Sequence, residues 1–100
     1  MIIISGSYRI TPEGREEYVE AAAEMLAVTR SEAGCRAYEF SFAVEEPDKV
    51  NGYEEWEDDD AVTAHMGSAH MAAFGTRTRS LITSSGGFFS HEVAGSSKLF

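Results

Sequence analysis

The run EEWEDDDAVTAHMGSAHMAAF, Glu54 to Phe74, brings a carboxylate, an indole and two imidazoles into one short stretch. An imidazole titrates near neutral pH and acts as a general base when a carboxylate orients it. His65 stands on the first helical segment after Trp56, and Glu54 shares a strand face with Trp56. A His65–Glu54 pair across the helix–sheet seam is therefore expected. It could take a proton from a phenol or an acidic C–H, or it could be a structural tie alone. Trp56 is a core wall or a surface that stacks on a planar substrate, its indole N–H free for a carbonyl.

A metal is not expected. The sequence has no H-x-x-x-H, H-E-x-x-H or C-x-x-C spacing. His65 and His70 would lie about 140° apart on an ideal helix, and Gly67–Ser68 interrupts that helix. No G-x-G-x-x-G is present for a dinucleotide, and no D-x-D-x-D-G loop for calcium. His91, in the last strand, reads as structural.

The elements that must position these groups follow from periodicity. MIIISGSYRI alternates from Ile4 on and reads as a strand. Thr11 as N-cap and Pro12 at the first helical position open a helix with Tyr18, Ala22, Met25, Leu26 and Thr29 on one face, and Gly34 stops it. CRAYEFSFAVEE alternates again, PDK is a turn, and VNGYEEWE is a third strand with Val50, Gly52, Glu54 and Trp56 on one face. Asp58 or a neighbour caps a short helix over 59–66, and Ser68 caps a second piece carrying Met71, Phe74, Thr78 and Leu81. SSGG reads as a turn, FFSHEV as the last strand, and residues 94–100 as a tail. The order β-α-β-β-α-β is the ferredoxin-like pattern of the α+β class: one antiparallel sheet with both helices on one face. One domain spans 1–100, with its core at about 2–93.

The opposite sheet face mixes Ile3, Ala37, Ala43, Tyr53, Phe89 and Val93 with polar residues. A partly apolar face without helices predicts a covering second subunit, hence a homodimer. The net charge of −9 argues against nucleic acid and against an anionic membrane surface. The lone Cys35 cannot form an internal disulfide, which with the lack of a signal sequence or membrane span suggests a cytoplasmic protein.

With these residues in place, the chain resembles the antibiotic biosynthesis monooxygenase family of dimeric α+β barrels. The resemblance rests on G-C-x-x-Y from Gly34 to Tyr38, the Pro47–Asp48 turn, E-x-W-x-D from Glu54 to Asp58, and H-x-x-S-x-H-x-x-x-F from His65 to Phe74. It implies an apolar pocket between sheet and helices, and oxidation of a quinol or polyketide anthrone by O2 without a prosthetic group. On that footing His65, Glu54 and Trp56 are the expected catalytic residues. Tyr38, Phe40, Met66, His70, Met71 and Phe74 are the expected substrate-binding residues, with His70 at the pocket mouth. Haem-degrading relatives differ near Gly6, at His65 and near Gly75. Anthrone-oxidising members place asparagine where this chain has Gly52. The alternatives are an isomerase of a small, phosphorylated dicarbonyl, as in autoinducer-2 processing, and a non-catalytic ligand-binding dimer.

Overall fold

The computed structural model describes residues 1–100. Strand β1 (Ile2–Ile10) leads through a 3-10 turn (Pro12–Gly14) into helix α1 (Arg15–Thr29). Strands β2 (Cys35–Phe42) and β3 (Lys49–Trp56) follow, then helices α2 (Asp59–Met66) and α3 (Ala69–Thr78), and strand β4 (Ile82–Glu92). The sheet is antiparallel throughout, in the order β2-β3-β1-β4. This is the ferredoxin-like α+β architecture, its second helix broken in two.

Alternation decides which strand residues enter the core. Ile2, Ile4, Tyr8 and Ile10 of β1 are buried, as are Val50, Gly52, Glu54 and Trp56 of β3. Helix α1 answers with Tyr18, Ala21, Ala22, Met25 and Thr29, a stripe at three- and four-residue spacing. The Tyr8 and Tyr18 hydroxyls meet at 2.6 Å and tie helix to sheet. Gly34 ends the α1 turn at φ +83, a conformation that a side chain rarely adopts.

Two boundaries differ from those expected. The second strand stops at Phe42, and Val44 beyond it is fully exposed. The chain there is already closing the hairpin, with Ala43 N–H on the Lys49 carbonyl and Lys49 N–H on that of Glu46. The last strand starts at Ile82 rather than Phe88, so SSGG lies within it and is not a turn. Its pairing with β1 slips between Ser7 and Tyr8 and between Arg9 and Ile10, and Gly87 takes φ +90. Bulged pairing to β1 overrides the weak strand propensity of serine and glycine.

The helix-free face carries Phe89, Ser5 and Tyr53 in one register row, and His91, Ile3 and Glu55 in the next. Phe89 is 60% exposed there. Beyond Val93, whose N–H reaches the Met1 carbonyl, residues 94–100 form no regular element. No helix is long and apolar enough to cross a membrane.

Candidate active site

Helix α2 begins where Asp58 accepts the Ala61 N–H at 2.9 Å, with Asp59 and Asp60 at the positive end of the helix dipole. It ends at Gly67, after which Ser68 caps α3 and donates to the His65 carbonyl at 2.7 Å. This break matters for the chemistry. On a continuous helix His65 and His70 would point apart, but the change of direction sends both rings to one carboxylate.

That carboxylate is Glu32, in the turn after α1, and not Glu54. His65 Nδ1 lies 2.7 Å from Glu32 Oε2, and His70 Nε2 lies 3.0 Å from the same oxygen. The other nitrogen of His65, Nε2, lies 3.2 Å from the Tyr38 hydroxyl. An ionised Glu32 accepts, so Nδ1 carries the proton of neutral His65 and Nε2 keeps its lone pair on the Tyr38 side. The three donor atoms of Glu32, His65 and His70 fall within 4.8 Å of one another, a set of the kind transition metals use. Here both imidazoles meet the one Glu32 oxygen.

His65 is only 1% exposed. Burial holds its pKa below the ordinary 6.5, outweighing the neighbouring Glu32 that favours the charged ring. The ring is therefore neutral at pH 7 and able to take a proton. Burial also raises the Tyr38 and Tyr8 phenols well above their usual range, and pushes Tyr18 up to about 12. Tyr38 thus stays a phenol and can donate to Nε2.

His65 and Tyr38 look into a cavity of about 410 Å³ between the sheet and α2–α3, a size suited to a small ligand. Phe40, Met66, Met71 and Phe74 line it, and Glu54 does too. Ile4, Tyr8, Val62, Phe88 and Ser90 complete the lining and were not anticipated as site residues. Phe40 and Phe88 stack at 6.0 Å over Gly52, where an added Cβ would come within 2.7 Å of Phe88 and 2.9 Å of Phe40. Gly52 is therefore what admits the two-ring wall.

Three expectations need correction. Trp56 is 0% exposed and does not line the cavity. Its side chain lies beneath α2, with its ring 4.7 Å from that of His65, so it backs the base and cannot stack on a ligand. Its N–H is not free, because it donates to Glu54 Oε1 at 2.8 Å. His70 also lies off the cavity, held behind His65 by Glu32. Glu54, finally, is the partner of Trp56 rather than of His65. It is 6% exposed, and burial raises its pKa above 4.5 against the opposing effect of the Trp56 bond. Glu32 was missed because it lies 33 residues from His65 in the chain, and no local spacing connects them.

The family model for antibiotic biosynthesis monooxygenases matches residues 1–77. A candidate monooxygenase of Bacillus subtilis (strain 168), YcnE, is 28% identical over 83 residues, covering 83% of this chain and 87% of that protein. A candidate antibiotic biosynthesis monooxygenase from Deinococcus radiodurans superposes with a TM-score of 0.92 at 19% identity, over 100% of this chain and 99% of that one. A conserved protein from Methanosarcina mazei Go1 gives 0.82 at 22% identity, over 90% and 89%. These last two likenesses concern the fold, whereas the match over residues 1–77 carries the assignment: the chain belongs to the antibiotic biosynthesis monooxygenase family.

Proposed function

We propose that the protein is a monooxygenase that oxidises a quinol-like or polyketide aromatic with O2 and without a bound cofactor. The observation that carries the proposal is a buried, neutral imidazole, oriented by Glu32 and presented with Tyr38 at an apolar cavity. His65 Nε2 takes the proton of a phenol or an acidic C–H, and the imidazolium formed is stabilised by the Glu32 carboxylate. The electron-rich anion reduces O2 by one electron, the radical pair joins to form a C–O bond, and the peroxide anion takes the proton back from the His65 imidazolium to give a hydroperoxide. The hydroperoxide loses water to leave a carbonyl, so one oxygen atom enters the product and the other leaves as water. The apolar wall of Phe40, Met71, Phe74 and Phe88 keeps bulk water from the anion.

The isomerase alternative would use the same base on a phosphorylated dicarbonyl. The lining contains no Lys or Arg, and it does contain Glu54, which disfavours a phosphorylated substrate. The apolar row on the helix-free face, Tyr53 and Phe89 above all, supports a homodimer in which a second sheet covers it.

The test uses metal-stripped protein and an anthrone: one O2 taken up per quinone formed, one atom of labelled O2 in the product, and no hydrogen peroxide released. His65→Ala should lower kcat by roughly 10²–10⁴-fold, the usual worth of a general base. Unchanged turnover in that variant would defeat the mechanism, and dicarbonyl turnover without oxygen uptake would replace the oxygenase by the isomerase.

A further inference from the structure

Glu54 has no place in the base assembly, yet it is a buried carboxyl at the cavity wall. We infer that Glu54 is a neutral hydrogen-bond donor to a ligand oxygen, so that the cavity takes uncharged flat aromatics bearing a carbonyl or a phenolic oxygen. The inference rests on this cavity being the substrate site, as proposed above, but not on the reaction being an oxygenation.

The geometry assigns the donor. Glu54 Oε1 accepts the Trp56 N–H at 2.8 Å, while Oε2 receives no hydrogen bond from the protein and remains open to the cavity. The groups that feel the carboxyl are Tyr8 from β1 and Tyr38 and Cys35 from β2, and His65 from α2 and Ser90 from β4 line the same cavity. None is a permanent cation, and His65 already has Glu32. One neutral N–H is little compensation for a buried anion, and the raised pKa of Glu54 agrees with a retained proton. With Oε1 occupied as an acceptor, the proton belongs on Oε2, facing the ligand. A carbonyl or a developing oxyanion can accept it. A carboxylate or phosphate on the ligand would bring a second negative charge into a site with no cation, and is excluded.

The test compares binding of 1,4-naphthoquinone and naphthalene by equilibrium dialysis, with no turnover required. Wild type should prefer the quinone by roughly tenfold, the upper range for a neutral hydrogen bond. Glu54→Gln keeps an N–H donor and should keep the preference, whereas Glu54→Leu should lose it. In wild type the quinone affinity should fall as pH rises through the Glu54 ionisation, above 4.5. In Glu54→Gln it should not. The quinone itself does not titrate, and a His65 response would persist in both proteins. If Glu54→Leu fails to fold by near-ultraviolet circular dichroism, the pH profiles of wild type and Glu54→Gln decide. An undiminished preference in folded Glu54→Leu, or identical pH profiles in wild type and Glu54→Gln, would overturn the inference. Quinone preference without oxygen-dependent turnover would sink the oxygenase reading and leave this one standing. Failure to bind any aromatic would remove the cavity as a substrate site and this inference with it.

Discussion

Replacing Glu32 by glutamine tests the base assembly more sharply than deleting the base. The amide oxygen can still accept from His65 Nδ1, so the tautomer survives and only the charge is removed. The bond concerned is 2.7 Å long, between a ring that is 1% exposed and a carboxylate side chain that is 18% exposed. A hydrogen bond to a charged group contributes about 1.5–3 kcal/mol, and a neutral one about 1 kcal/mol. The partial exposure of Glu32 places its charge toward the lower end. The transition state, in which His65 gains its charge, should therefore lose about 1–2 kcal/mol, or roughly 5–30-fold in kcat. Glu32 raises the His65 pKa, while burial and His70 lower it, and Tyr38 and the Trp56 ring, which also face His65, carry no charge. Removing the Glu32 charge should thus move the His65 ionisation further below 6.5. The acid limb of the rate profile and the His65 ring-proton titration by nuclear magnetic resonance should both shift to lower pH. The titration needs no substrate and separates a positioning role from a loss of folding. An unmoved His65 titration in a folded Glu32→Gln protein would refute the assembly, whatever the rate does.

Trp56→Phe should destabilise the fold by about 1–3 kcal/mol in urea unfolding, because it empties part of the core and orphans Glu54 Oε1. The same change should raise the Glu54 ionisation further, since the Trp56 bond is what lowers it. Gly52→Ala forces a methyl against Phe40 and Phe88 and should cost about 1–3 kcal/mol, with a larger loss of aromatic binding than a surface alanine would produce. Sedimentation at micromolar concentration should give roughly twice 10.9 kDa; a stable monomer would sink the covered-face argument. Stability should also follow two opposed ionisations in a urea series across pH. Glu54, raised in the fold, contributes stability below 4.5 that is lost as pH climbs through its folded pKa. His65, lowered in the fold, contributes stability above 6.5 that is lost as pH falls toward its folded pKa. Glu54→Gln should abolish the first dependence and leave the second.

The inward face of β3 was legible because two-residue alternation is local: Val50, Gly52, Glu54 and Trp56 had to share a side. The helix caps at Asp58 and Ser68 were legible for the same reason, since each reaches only three residues ahead. The partner of His65 was not. Its choice between Glu32 and Glu54 depends on how far the turn after α1 comes up beside α2, and on the kink at Gly67–Ser68. Neither leaves a periodic trace. Proximity to Trp56 in sequence favoured Glu54, but Trp56 itself holds that carboxylate with its indole N–H. The tryptophan thereby separates the two acids. Glu32 orients the imidazole from its Nδ1 side, and Glu54 is kept apart at the cavity wall. The motif that suggested one dyad encodes two groups whose pKa values burial moves in opposite directions, the imidazole of His65 down and the carboxyl of Glu54 up. Such a division suits a reaction in which negative charge develops on a ligand held between an acceptor and a donor.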